Sequence, residues 1–216
     1  MATILHGYWR SSAAYRVRIG LNLKGLPYDQ VAHDLRTGEQ RDPTYRAISP
    51  QGLVPALDMG GQVVTQSLAI LEWLEEVCPE PALLPQSPAA RALVRSQAAI
   101  VACDVHPLNN LRVLKALRAD WNADDDAIAR WVAGWVRDGL GALETLAQRH
   151  GEGFCFGDSP TIADCCLIPQ LYNARRFDVD LSDFATLLAI DQRCAQIDAF
   201  ARAAPAAQPD ADGGGR

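Results

Sequence analysis

Residues 10–21 read RSSAAYRVRIGL, and this stretch carries the strongest chemical signal in the chain. Two adjacent hydroxyls, Ser11 and Ser12, stand where an apolar periodic segment begins. Three arginines, Arg10, Arg16 and Arg18, lie within the same short stretch. A helix start offers N–H groups with no partner in the helix, and serine oxygens beside them suit a bound anion or thiolate. No cysteine lies in the segment, so a thiolate that reacts there must arrive on a ligand. Capping alone accounts equally well for one of the two serines. Arg10, at the opening of the motif, has the planar fork that pairs with a carboxylate. The four histidines show no metal-ligand spacing, and no metal site is predicted.

The elements that must position these groups follow from periodicity and turn chemistry. Strands are predicted at Thr3–Tyr8 and Tyr28–His33, at 54–58, and at Gln62–Thr65 after the turn Gly60-Gly61. Ser12–Lys24 reads as a helix that is apolar on two sides, hence buried between layers, and Gly25-Leu26-Pro27 stops it. Ser67–Cys78 reads as a second helix. The order is β-α-β-α-β-β-α. Two proline clusters, 79–81 and 85–88, bracket a linker, which divides the chain into domains at 1–80 and 88–210. Beyond the linker, helices are predicted at 89–117 with a kink at Pro107, at Asp125–His150, at Ile162–Arg175 and at 187–203. Thr161 and Asp164 have capping-box spacing. Trp73, Trp121, Trp131 and Trp135 fall in helices and read as core or interface, while the tail PAAQPDADGGGR reads as loose, at least at its end.

Composition bounds the function. The chain has 216 residues, 49% of them hydrophobic, and a formal net charge of −6. That balance speaks against broad nucleic-acid or anionic-membrane binding but leaves room for a small anion beside a local arginine cluster. Neither a signal peptide nor a membrane-length apolar run is evident. The six cysteines form no CxxC pair and read as buried free thiols of a cytoplasmic protein.

The segments RSSAAYRVRIGLNLKG, LVPALD, QSLAILEWLEE, PALLPQ, HPLNNLRVL, FGDSPTIADCCLIPQ and ARRFDVDL together resemble the zeta class of the glutathione transferase superfamily. The resemblance implies an α/β thioredoxin-like N-terminal domain plus an all-α C-terminal domain, with glutathione as cofactor and a homodimeric assembly. It places the glutathione thiol beside Ser11 and Ser12, and the tripeptide against Ala13, Ala14, Tyr15, Arg16 and Gln40. Val54-Pro55 is then a cis peptide whose Val54 backbone pairs with the cysteinyl unit, and Gln66-Ser67 holds the γ-glutamyl carboxylate. His106, Asn110, Leu111 and Arg112 border the tripeptide from the helical domain. Arg10 and Arg176 take the carboxylates of a small dicarboxylate substrate. Many members carry a cysteine after the serine pair, where this chain has Ala13.

The activity implied is glutathione-dependent cis–trans isomerisation of a maleyl compound. The thiolate adds to the double bond, the resulting single bond rotates, and elimination returns glutathione. Maleylacetoacetate, from tyrosine and phenylalanine breakdown through homogentisate, is the first substrate expected. Maleylpyruvate, from the gentisate route, is the alternative, and Leu111 tilts the choice towards the former. Two rival classes are ordinary glutathione conjugation and a binding module without turnover. The arginine pair speaks against the first, because conjugated electrophiles are typically apolar. The serines, Val54-Pro55 and Gln66-Ser67 speak against the second.

Overall fold

The computed structural model describes residues 2–212 and divides into two compact units, one running to Leu83 and resuming at Ala195, the other spanning Leu84–Cys194. In the first unit the elements are β1 (Thr3–Gly7), α1 (Ser12–Leu23), β2 (Asp29–Ala32), α2 (Pro43–Ile48), β3 (Ala56–Met59), β4 (Gln62–Thr65) and α3 (Ser67–Val77). They match the expected order, with strand ends shifted by a residue or two. The sheet order is β2-β1-β3-β4, with β1 and β2 parallel and the other pairs antiparallel.

The register fixes where the chemistry sits. His6 of β1 faces Ala56 of β3, and Ala56 faces Thr65 of β4. The end of β1, the start of β3 and the end of β4 therefore lie along one rim of the sheet. The loop into α1, the Val54-Pro55 peptide and the start of α3 all leave from that rim.

Helix α1 is buried nearly throughout, as its two apolar sides require. Val17 and Leu21 join Leu5, Leu57, Ile70 and Leu74 in the core. Gly20 lets α3 come close, because a Cβ there would collide with the buried Leu71 side chain. The other side of α1 packs on a late helix, α9 (Asp198–Ala203). Two charged side chains, one in α1 and one just past it, are buried with their bonds made. Arg18, 0% exposed, donates from Nε to the Ala203 carbonyl at 2.9 Å and from Nη2 to that of Trp9 at 2.9 Å. Lys24, just past α1, donates to Glu75 of α3 at 2.6 Å and to the Pro81 carbonyl at 2.8 Å. The same Glu75 oxygen accepts the Leu83 N–H.

The second unit holds α4 (Pro88–Ala99), α5 (Leu111–Trp121), α6 (Asp125–His150), α7 (Ile162–Arg176) and α8 (Ala185–Cys194). The capping box forms. Buried Asp164 accepts from the Thr161 N–H at 2.7 Å and also from the Cys155 N–H at 2.8 Å. Glu144 of α6 accepts the Thr186 and Leu187 N–H groups and so caps α8 from a distance.

Several expectations need correcting. The helix expected over 89–117 is two helices. A π-helical turn, Ile100–Val105, follows α4, and the chain breaks around Pro107, which lacks a donor, before Asn110 caps a new start. The helix expected over 187–203 also splits, because the chain leaves the second unit after Cys194 and α9 packs on α1. The second compact unit closes at Cys194, and the chain after it packs with the first. Arg176 ends α7 rather than following it. Trp121 is 79% exposed and is no part of a core. The tail is docked as far as it is described: Gln208 is 3% exposed and donates to two carbonyls, those of Arg202 and Ala204. The closing Gly-Gly-Gly-Arg lies outside the described residues. All six cysteines are free thiols, four of them buried, while Cys103 is exposed. Among the described residues no helix is long and apolar enough to cross a membrane.

Candidate active site

Ser11 is the N-cap of α1, and its Oγ accepts the Ala14 N–H at 3.2 Å. That bond uses the oxygen as acceptor and leaves the hydroxyl hydrogen free to donate. Ser12 is the first helical residue and only 5% exposed. The Tyr15 N–H bonds the Ser11 carbonyl, and the Ala14 and Tyr15 side chains are buried. In this first turn Ser11 and Ala13 stay partly open, so Ser11 is the better placed donor. Arg10 lies in the preceding turn, its guanidinium 5.4 Å from the Trp9 ring centre.

The start of α3 adds a second set of groups. Gln66 stands at its N-cap with φ 69°, an uncommon conformation for a residue with a Cβ. Its side chain makes no cap; Nε2 donates instead to Gln51 Oε1 at 2.7 Å. The first-turn N–H groups of α3 therefore have no side-chain cap from this residue, which is the condition under which a helix start takes an anion. Arg16 Nη1, buried, donates to Ser67 Oγ at 3.1 Å, which turns the serine hydrogen outward and brings a positive charge close behind it. Arg16 thus acts through Ser67, a link that the spacing of the two residues does not reveal.

The Val54-Pro55 peptide is cis, as the resemblance implied, and a second cis bond, Glu80-Pro81, was not expected. Gly52, with φ 63°, lies against the Gln40 backbone: a Cβ there would stand 3.0 Å from the Gln40 carbonyl. Gln40 Oε1 is buried and takes no partner among the described residues. An orphaned amide oxygen is an acceptor held ready for an N–H. Donors for a carboxylate, an acceptor for an N–H and a hydroxyl for a sulfur fit a tripeptide thiol such as glutathione.

The remaining expected residues belong to the helical unit. His106 ends the π-helical turn, its N–H on the Val101 carbonyl at 2.8 Å. Asn110 caps α5 through Oδ1, which accepts the Arg112 N–H at 3.1 Å, so its side chain serves the fold first. Leu111 and Arg112 are exposed in the opening turn of α5. Arg176 is exposed, 5.7 Å from the Phe177 ring. Arg175 pairs with Asp191 instead.

Sequence reasoning missed a histidine pair. The β1–β2 pairing brings His6 Nδ1 within 3.0 Å of His33 Nε2, and the His33 ring lies against Tyr45 at a tilt of 36°. The Tyr45 hydroxyl donates to the Leu53 carbonyl, next to Val54. Burial lowers both histidine pKa values from 6.5. Only the parallel pairing of two short strands could have signalled this.

Comparison with known proteins places the chain among relatives. Residues 10–77 match the family model for the glutathione S-transferase N-terminal domain, and residues 112–203 that for the C-terminal domain. The chain is 50% identical over 209 residues to a maleylpyruvate isomerase from a Ralstonia species, covering 95% of this chain and 98% of that one. It is 49% identical over 204 residues to a maleylacetoacetate isomerase from Rhizobium meliloti, covering 94% and 96%. A holo structure of maleylpyruvate isomerase, described as a bacterial zeta-class glutathione S-transferase, superposes with a TM-score of 0.95 at 49% identity over 97% of this chain and 100% of that one. Maleylacetoacetate isomerase from Anaeromyxobacter dehalogenans, with dicarboxyethyl glutathione and citrate in its active site, gives a TM-score of 0.88 at 44% identity over 98% and 94%.

Proposed function

This chain belongs to the zeta class of the glutathione S-transferase family, and from that premise we propose that it is a glutathione-dependent cis–trans isomerase of maleyl compounds. The observation that carries the proposal is the convergence of Arg10, Ser11, Gln66 and Ser67 on one rim of the sheet. The named activities of the relatives, and the dicarboxyethyl glutathione held by one of them, support it.

Bound glutathione would supply a thiolate that adds to the cis double bond, lets it turn as a single bond, and leaves unchanged. Ser11 donates its hydroxyl hydrogen to the sulfur and, with the positive end of α1, favours its ionised form. The first turn of α3 and the Ser67 hydroxyl hold a carboxylate of the cofactor, and Gln40 accepts an N–H from it. Val54 offers backbone groups to the tripeptide as a short strand would. Arg10 takes a substrate carboxylate and stabilises charge as it develops beside the double bond. Arg176, His106 and residues 110–112 enter this reading by family resemblance, as a second carboxylate ligand and as contacts for the tripeptide. Ala13 leaves the reaction no protein sulfur in this motif.

Maleylacetoacetate is the substrate favoured by an apolar side chain at Leu111; the Ralstonia relative favours maleylpyruvate. The same reading makes the protein a cytoplasmic homodimer. Its six free thiols suit a reducing compartment. The test incubates the protein with each maleyl compound, with and without glutathione, and follows formation of the trans product. Conversion that requires glutathione is expected. Conversion that ignores glutathione, or none with either substrate, would overturn the proposal.

A further inference from the structure

The loop that presents Arg10 and Ser11 is held from the far end of the chain. The Trp9 N–H donates to Asp210 Oδ2 at 2.9 Å. The Trp9 carbonyl accepts from Arg18, whose Nε is spent on the Ala203 carbonyl. The Ser11 N–H closes the turn on the Tyr8 carbonyl at 3.0 Å. Both backbone polar groups of Trp9 are thus fixed by partners outside the loop. The segment beyond α9 is itself anchored. Gln30 of β2 donates to Gln208 at 2.8 Å, and Arg36 bridges Asp34 and Asp212.

We propose that Asp210 is a positioning residue for the reaction: its carboxylate fixes the Trp9 peptide and, through it, the direction of Arg10 and the start of α1 at Ser11. The inference rests on the isomerase reading given above. The Ser11–Tyr8 bond closes the turn but leaves the Trp9 N–H to a partner from outside it. Trp9 lies between β1 and α1 and depends on neighbours brought in by the fold, and the neighbour on its N–H side is Asp210. A carboxylate accepting a backbone N–H is a charge-assisted bond, stronger than a neutral one. Asp210 is only partly buried, so its replacement leaves the core untouched.

The test compares full-length wild type with Asp210→Ala and Asp210→Asn. Asparagine keeps an oxygen that can accept the Trp9 N–H, and alanine does not. For Asp210→Ala, KM for the maleyl substrate should rise roughly tenfold, the worth of one such hydrogen bond, with faster amide exchange in residues 8–12. Asp210→Asn should restore both to within about twofold, a residual set by the weaker neutral bond. The glutathione Kd should move less than KM, because the groups on α3 and at Gln40 are untouched. Arg202→Ala, which breaks a surface pair with Asp198 on α9, serves as a control for general loosening of the segment and should move neither readout. A wild type without turnover overturns the isomerase reading, and this inference with it. An active wild type with an unchanged Asp210→Ala overturns the inference alone. So does an Asp210→Ala that loses thermal stability while KM and exchange at 8–12 stay put.

Discussion

At the scale of single residues, Ser11 does two jobs that substitution can separate. Its oxygen caps α1, and its hydrogen is left for the ligand. Ser11→Ala should cost about 1 kcal/mol of stability through the lost cap. It should also lower kcat on the order of a hundredfold, the usual cost of a lost donor at developing charge. Ser11→Asp caps as well as serine does but sets a negative charge beside the sulfur. Thermal melts should then recover while kcat does not. Equal recovery of both would reduce Ser11 to a cap. Arg10→Ala should raise KM for the maleyl dianion more than it raises the glutathione Kd, and steady-state kinetics beside glutathione titration decide this. The serine pair, Gln66-Ser67 and the cis peptide were legible because each is local or tied to a motif. Gln40 entered by resemblance alone, and its orphaned oxygen emerged only with the fold.

At the scale of elements, α1 shows how far the partners of a charged residue can lie from its own pattern. Arg18 is wholly buried and serves the structure. Its partners lie at Tyr8, Trp9 and Ala203, and no pattern within α1 announces the last of them. Lys24 and Glu75 join α1 to α3 in the same way. Glu75→Ala would leave the buried ammonium with carbonyls only and should cost about 3–5 kcal/mol, measured by denaturant unfolding. A change under 1 kcal/mol would show the pair to be dispensable. Gly20 sharpens the same point. Alanine normally stabilises a helix over glycine by about 1 kcal/mol, but here the methyl meets Leu71, and Gly20→Ala should destabilise by about 1–3 kcal/mol. The split helices had a partly visible cause. Pro107 marked an interruption, yet only Asn110 acting as a cap turns a kink into a new start.

At the scale of the whole molecule, the chain's last described stretch belongs with its first. The sequence suggested a domain ending near 210, since helical pattern runs on past 194. What decides the matter is the packing of α9 on α1, a contact between residues nearly 180 positions apart, such as Asn22 with the Ala199 carbonyl. The His6–His33 pair gives this unit a pH dependence. Both pKa values are lowered on folding, chiefly by burial, so the unfolded chain binds protons more readily. Stability is therefore present above pH 6.5 and is lost as pH falls below it, towards the folded values. Asp58 works against this for His6, and Glu39 and Asp42 for His33, without reversing the direction. Unfolding curves between pH 7.5 and 5.5, a range set by the ordinary histidine pKa of about 6.5, should show the loss. A His6→Asn, His33→Gln double variant should flatten it, and an unchanged slope would remove the pair from the account. The central claim, that this protein borrows the sulfur of glutathione and gives it back, is tested most directly by a thiol balance. Free glutathione and trans product are counted together over many turnovers of a maleyl substrate. The account predicts product accumulating far beyond the starting glutathione while free thiol stays constant; loss of one thiol for each substrate consumed would contradict it and make the protein a conjugating transferase.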